Sequence, residues 1–355
     1  MLNKILVPLD GSELADTVLP HVAALTRING TTITLLHVLE AAENSSTGKS
    51  LQEVDPVEWH LRKSEVQTYL HETSQRLRWA NLSSEEIVLE GRAADRIVEY
   101  AQKEDVDLVA LSSHGNGGLS SWNISSTAQK VIHRVRKSTL IIPAHYNVRY
   151  QNTDQQNDNQ EQDAGHRMTP TEIPPISYQR ILVPLDGSPR AECVLPIATA
   201  LARVHGAELI LVHVVTKPEM IERMPLSEEE KGLVTQIVKR NHAEVSRYFE
   251  QLQARISPRP STLILERNNV EYALLDLAEN ESIDLVILAA HGHTGHNGGA
   301  YGRLATRFID HGRMPLYVHQ DLTVDEIQPL YAEEMIGNLE PKREQRVSTY
   351  DYAAY

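Results

Sequence analysis

The octapeptide Ile5-Leu6-Val7-Pro8-Leu9-Asp10-Gly11-Ser12 occurs again, unchanged, as Ile181 to Ser188. The offset, 186 − 10 = 176, also carries Val18-Leu19-Pro20 onto Val194-Leu195-Pro196 and His37-Val38 onto His213-Val214. Farther along, Asp107-Leu108-Val109 matches Asp284-Leu285-Val286 and His114-Gly115 matches His291-Gly292, now at 291 − 114 = 177. A register that drifts by one residue over most of a domain is the mark of duplication, so the chain must build one domain twice. Its 355 residues exceed what a single hydrophobic core usually organises, which agrees.

Within each copy, short β-branched runs alternate with segments of helical period, the pattern of a parallel sheet with crossover helices. The first copy predicts strands at about Lys4 to Leu9, Thr32 to Val38, Glu86 to Leu89, Leu108 to Ser112 and Thr139 to Ile142. Helices are expected where Val66, Leu70 and Leu77, then Ala94, Ile97, Val98 and Ala101, then Ala128, Val131, Ile132 and Val135 share a face. In the second copy Ile237, Asn241, Val245, Tyr248, Leu252 and Ile256 do the same. Pro20 and Pro196 fall inside the first helix of each copy and predict a break there. The organisation read from the sequence is a first domain at 1–145, a polar disordered linker at 146–177, a second domain at 178–320 and an acidic tail at 321–355. A helix around Asp325 to Ile336 is weighed against disorder for the tail.

Charge excludes one class of partner. Thirty-four basic against 48 acidic residues leave −14, with no clustered basic face, so nucleic acid is not expected. No apolar run reaches membrane-spanning length, and the N-terminal one is too short for a signal peptide; the expectation is a cytoplasmic protein. Cys193 is the single cysteine, so an internal disulfide is impossible, and a small apolar role is the simpler reading of it.

In an open parallel sheet the ligand crevice lies at the carboxyl ends of the strands, where successive connections turn to opposite faces. That places Asp10 and Asp186 at the crevice, although Asp-Gly-Ser also simply turns a chain and caps a helix. The fourth strand runs into Ser112-Ser113-His114-Gly115 in the first copy and Ala289-Ala290-His291-Gly292 in the second. Glycines there allow backbone N–H groups to face an anion, and the following helix N-terminus favours negative charge. Ser126 near the start of that helix offers a hydroxyl, and Arg303 in the second copy offers a guanidinium for a phosphate. His291, His293 and His296 have a spacing that imidazoles use for zinc or nickel, but no nearby carboxylate or cysteine completes a site in the sequence. His293-Thr294-Gly295-His296 spells a nucleotidyltransferase pattern, but after the fourth strand rather than the first. No Walker loop and no nucleophile–base constellation is present, so the reading is at most weak ATP hydrolysis, with no catalytic residue assigned.

Taken together, these motifs resemble the universal stress protein family in its tandem form, over about Leu2 to Ala144 and Tyr178 to Gln320. The resemblance implies two tandem open, twisted, parallel five-stranded sheets with helices on both faces, Rossmann-like and of the adenine nucleotide alpha hydrolase type. It implies ATP or AMP, with or without Mg, as a regulatory ligand in a stress response. Asp10 and Val38 would contact the base in the first copy and Asp186 and Val214 in the second, with Pro8, His114, Pro184 and His291 also among the nucleotide-binding residues. Ser112, Gly115, Ser125 and Ser126, then Ala289, Gly292, Gly302 and Arg303, would lie at the ribose and phosphates. Ser112, Ser125 and Ala289 stand where the family pattern has glycine, and Arg303 where it has a hydroxyl. A side chain at such a position blocks close approach or forbids a backbone angle, so one or both copies are expected to bind weakly or not at all. The alternative function is a scaffold acting through an unknown protein partner. The fifth strands are edges that must be paired or protected; the expectation is that they pair with each other as an intramolecular pseudo-dimer, with a homodimer as a further possibility.

Overall fold

A computed structural model describes residues 2–28, 30–40, 56–115, 124–144, 146, 172–218, 227–293 and 300–322. The proposed tail helix lies outside these, as do most of the linker and residues 294–299 of the histidine-containing loop.

The first copy runs β1 (Lys4–Pro8), α1 (Glu13–Asp16), α2 (Leu19–Thr26), β2 (Thr32–Leu39), α3 (Pro56–Trp79), β3 (Ser84–Glu90), α4 (Ala93–Lys103), β4 (Leu108–Ser112), α5 (Ser126–Val135) and β5 (Ser138–Ile142). The second runs β6 (Arg180–Pro184), α6 (Pro189–Glu192), α7 (Leu195–His205), β7 (Glu208–Val215), α8 (Glu228–Arg255), β8 (Ser261–Glu266), α9 (Val270–Asn280), β9 (Leu285–Ala289), α10 (Arg303–His311) and β10 (Leu316–His319). The expected break is real in both. Pro20 and Pro196 are the second residues of α2 and α7, where a missing N–H costs nothing.

Each copy builds five parallel strands in the order 3-2-1-4-5, and the two sets join as one ten-stranded sheet, β3-β2-β1-β4-β5-β10-β9-β6-β7-β8. The seam is the pairing expected of the fifth strands. It is antiparallel, with Leu316 opposite Ile141, Tyr317 opposite Leu140 and Val318 opposite Thr139. Because 317 − 140 = 177, the paired residues Leu140 and Tyr317 are equivalent positions, and a pseudo-twofold axis runs between them. The remaining edges are β3 and β8, and Glu85, Glu86 and Glu90 place charge along the first, which discourages further strand addition.

Strand alternation divides the core into two layers. Ile5, Val7, Ile33 and Leu35 face α2 and α3, while Leu6, Leu36, Val109 and Ile141 face α4 and α5; the second copy repeats both layers. Ile237, read as a core position, is instead 43% exposed, and Val238 turns inward. Phe249 lies eleven residues beyond Val238, three turns of a helix, so Val238 and not Ile237 shares its face. The linker reading fails at its C-terminal end. Residues 172–177 carry Ile173 and Ile176 into the same buried layer as Tyr178.

Candidate functional site

Both clefts form where β1 and β4, or β6 and β9, end beside the N-termini of two helices. In the first copy Pro8, Asp10, Val38, Ser112, His114, Gly115 and Ser125 line a cleft of about 630 Å³. Ser126, the first residue of α5, is exposed beside it, and Thr127 is in the lining. In the second copy Pro184, Asp186, Val214, Ala289, His291, Gly292, Gly302 and Arg303 all line one cleft of about 940 Å³.

The aspartates have a structural duty. Asp10 Oδ1 accepts from the Ser12 amide at 3.0 Å and the Ser12 hydroxyl at 2.6 Å, and Ser12 in turn caps α1. Asp186 repeats this with Ser188 at 2.9 and 2.6 Å, and its Oδ2 also accepts the His293 amide at 2.6 Å. Gly115 and Gly292 lie so close to these carboxylates that a Cβ on either would collide with Oδ2 of Asp10 or Asp186. The glycine therefore makes room for the aspartate, and the pair joins the end of the first strand to the loop after the fourth. Burial pushes the Asp186 carboxyl up, but the bonds from Ser188 and the His293 amide outweigh it and hold the group below its usual range.

Ser125 and Gly302 are equivalent N-caps. Their amides donate to Ser113 O and Ala290 O, each at 2.7 Å. With φ of −67° and −73°, neither position needs glycine for its backbone angle, so the objection to Ser125 on conformational grounds falls. The remaining constraint is space, since a Cβ at Gly302 would sit 3.3 Å from Ala290 O. Ser125 puts its hydroxyl to use by accepting the Ala128 amide at 3.3 Å, leaving other first-turn amides of α5 as donors for an anion.

The two clefts differ in chemistry. The first has an apolar wall of Leu36, Val38, Ala93, Ile97, Ala128 and Val131. Against it stands the Ser112 hydroxyl, on a residue 8% exposed, with no hydrogen-bond partner among the described residues. A buried hydroxyl without a partner costs roughly 1–3 kcal/mol. In the second cleft Ala289 has no hydroxyl to offer. Arg303, expected to await a phosphate, is paired with Glu271 Oε1 of α9 at 3.1 Å.

Sequence reading missed Glu271 and Asp321. The Asp321 side chain, counted with the tail, is 2% exposed and belongs to this site. It accepts from the His291 amide at 3.0 Å, pairs with His291 Nδ1 at 2.9 Å and bonds Arg190 at 2.7 Å. Burial raises its pKa, but His291 and Arg190 more than reverse that, leaving the carboxyl below its usual range. Nothing in the sequence marks Asp321, since Ala144 holds its place in the first copy and His291 is 30 residues away. Of the histidine run, the His291 ring pairs with Asp321, and His293 donates its backbone amide to Asp186; His296 lies outside the described residues. Among the described residues no three His, Cys, Asp or Glu side chains gather to hold a metal. Cys193 is half-buried between α6 and α7, and burial pushes its thiol up to about 12.

A doubly wound parallel sheet with a cleft at its strand ends in each copy defines a Rossmann-like α/β protein. The universal stress protein family model matches residues 1–143 and 177–319, so the chain belongs to that family, with one member domain in each copy. A universal stress protein of Methanocaldococcus jannaschii is 26% identical over 154 residues, covering 40% of this chain and 95% of that relative. One from Methanothermobacter thermautotrophicus is 29% identical over 133 residues, covering 38% of this chain and 90% of that relative. Each thus corresponds to a single copy. The whole architecture is similar to the crystal structure of a universal stress protein from Archaeoglobus fulgidus, with TM-score 0.60, 17% identity, and 90% of this chain and 99% of that one covered. It is also similar to a putative universal stress protein from Pseudomonas aeruginosa, with TM-score 0.61, 14% identity, and 95% and 98% covered.

Proposed function

We propose that the first copy binds an adenine nucleotide, ATP or AMP, as a regulatory ligand in a cytoplasmic stress response. The carrying observation is the unpartnered Ser112 hydroxyl in the lining of a cleft that sets an apolar wall of Leu36, Val38 and Ile97 beside the N-terminus of α5. The base lies on the wall formed by Val38, Leu36 and Ile97. The phosphates lie at the first turn of α5, near Ser125, Ser126 and Gly115, where amides and helix dipole favour negative charge. Asp10 acts by holding the Gly115 loop in place. The identity of the base comes from the family resemblance, and the cleft supplies a surface that suits it. No side chain is assigned as base or nucleophile, so the ligand signals by being bound.

The second copy supports the other reading, a surface that works through protein contacts. Its Arg303 pairs with Glu271, and the Glu271 carboxylate, which has no counterpart in the first copy, faces the space a nucleotide would enter. The test is to purify the full chain under native conditions, denature it, and identify released small molecules by chromatography and mass spectrometry. Close to one adenine nucleotide per chain supports the proposal. None released, together with no heat on titration with ATP, overturns it.

A further inference from the structure

The residue just before each of the two equivalent N-caps leaves its own copy. Ile124, preceding Ser125, shares a small cavity with Phe308, Ile309 and Met314 of the second copy and packs on the core that contains them. Tyr301, preceding Gly302, reaches the opposite way. Its hydroxyl lies 3.4 Å from Thr139 Oγ1 on β5, and its ring meets His133 of α5 edge-on at 6.2 Å. Because 301 − 124 = 177, this is one contact made twice, related by the same symmetry that sets Leu140 against Tyr317.

We propose that occupancy of one cleft is transmitted to the other through this crossed pair. The inference rests on nucleotide binding by the first copy. A ligand at the start of α5 fixes Ser125 and, through the peptide bond, Ile124. The cavity beside Ile124 gives that side chain room to move against α10 without opening the sheet, because a void leaves its lining short of contacts on one side. Gly302, the N-cap of α10, has its amide tied to Ala290 O at the rim of the second cleft. Tyr301 provides the return path to α5. Coupling of this kind is reciprocal, so whatever fills the second cleft changes nucleotide affinity at the first by the same factor.

The experiment is hydrogen–deuterium exchange on the full chain with and without saturating ATP, reading peptides that cover 303–311, alongside calorimetry on the same samples. The expected result is heat of binding with exchange in 303–311 slowed about fivefold or more. In Met314→Ala, which touches neither cleft, the slowing is expected to shrink while ATP still binds. Heat with unchanged exchange at 303–311 in the wild type overturns the coupling and leaves the binding reading standing. No heat at all overturns both.

Discussion

Leu140 and Tyr317 occupy the same position in the two copies and face each other across the antiparallel seam, both buried to within 1%. The chain thereby closes internally an edge that a single copy would leave open. Since the ladder and one continuous core layer run through this pair, Tyr317→Ala is expected to cost about 3–4 kcal/mol. Urea denaturation followed by circular dichroism checks this; a loss below about 1 kcal/mol would show that the seam adds little to the fold.

Acid sensitivity is built into the packing of α2 against α7. His21 Nδ1 lies 3.0 Å from the Tyr178 hydroxyl, its Nε2 has no partner among the described residues, and burial lowers its pKa from 6.5 to about 3. Between those values the unfolded chain binds a proton that the native state refuses. Stability from this group is therefore full above about pH 6.5 and falls as the pH drops toward 3. Burial shifts His205, with Nε2 on the Ala24 carbonyl, in the same direction. From pH 7 to pH 5 the loss from His21 alone is about 2 kcal/mol. The double variant His21→Leu, Tyr178→Phe is expected to lose that part of the pH dependence in urea midpoints, and an unchanged slope would refute the assignment.

The collision of a Cβ at Gly115 with Asp10 defines a mutant cycle. Gly115→Ala alone is expected to destabilise by about 1–3 kcal/mol, because the aspartate is held by Ser12 and cannot yield freely. Asp10→Ala removes the obstacle, so the double variant should be more stable than the sum of the singles predicts, by about 1 kcal/mol or more. Strict additivity in thermal or urea unfolding would mean the glycine serves something else.

Asp321→Ala copies the first domain's Ala144 into the second. It strips a buried carboxylate from both His291 and Arg190, a change expected to cost roughly 3 kcal/mol. Because the Asp321 carboxyl is held below its usual range, the stability it gives is present near neutrality and lost on acidification through its native pKa. Comparing urea midpoints of wild type and variant at pH 7 and at pH 3 checks both points, and the gap between them should narrow at the lower pH.

The fold was legible because duplication doubles every signal: a strand end that reads ILVPLDGS twice cannot be an accident of composition. The same repetition located Asp10, Asp186, Gly115 and Gly292. It hid what the copies do not share. Asp321 and Glu271 have Ala144 and Ala94 as counterparts, so comparing the halves gives no reason to single them out. Ile173 and Ile176 are two isolated apolar residues too few to stand out as a pattern from the polar stretch around them, and only tertiary packing reveals them. Ile124 and Tyr301 share a position but not a chemistry, and their meaning lies in the opposite copy, which no local pattern reports.

The central claim is that one cleft, the first, holds a nucleotide. Titrating the full chain with ATP in a calorimeter, as wild type and as Ser112→Ala, Asp10→Ala and Asp186→Ala, tests it most directly. The account predicts one site per chain, weakened about tenfold in Ser112→Ala by the lost hydrogen bond, abolished in Asp10→Ala and kept in Asp186→Ala. Binding that survives Asp10→Ala and disappears in Asp186→Ala would contradict it.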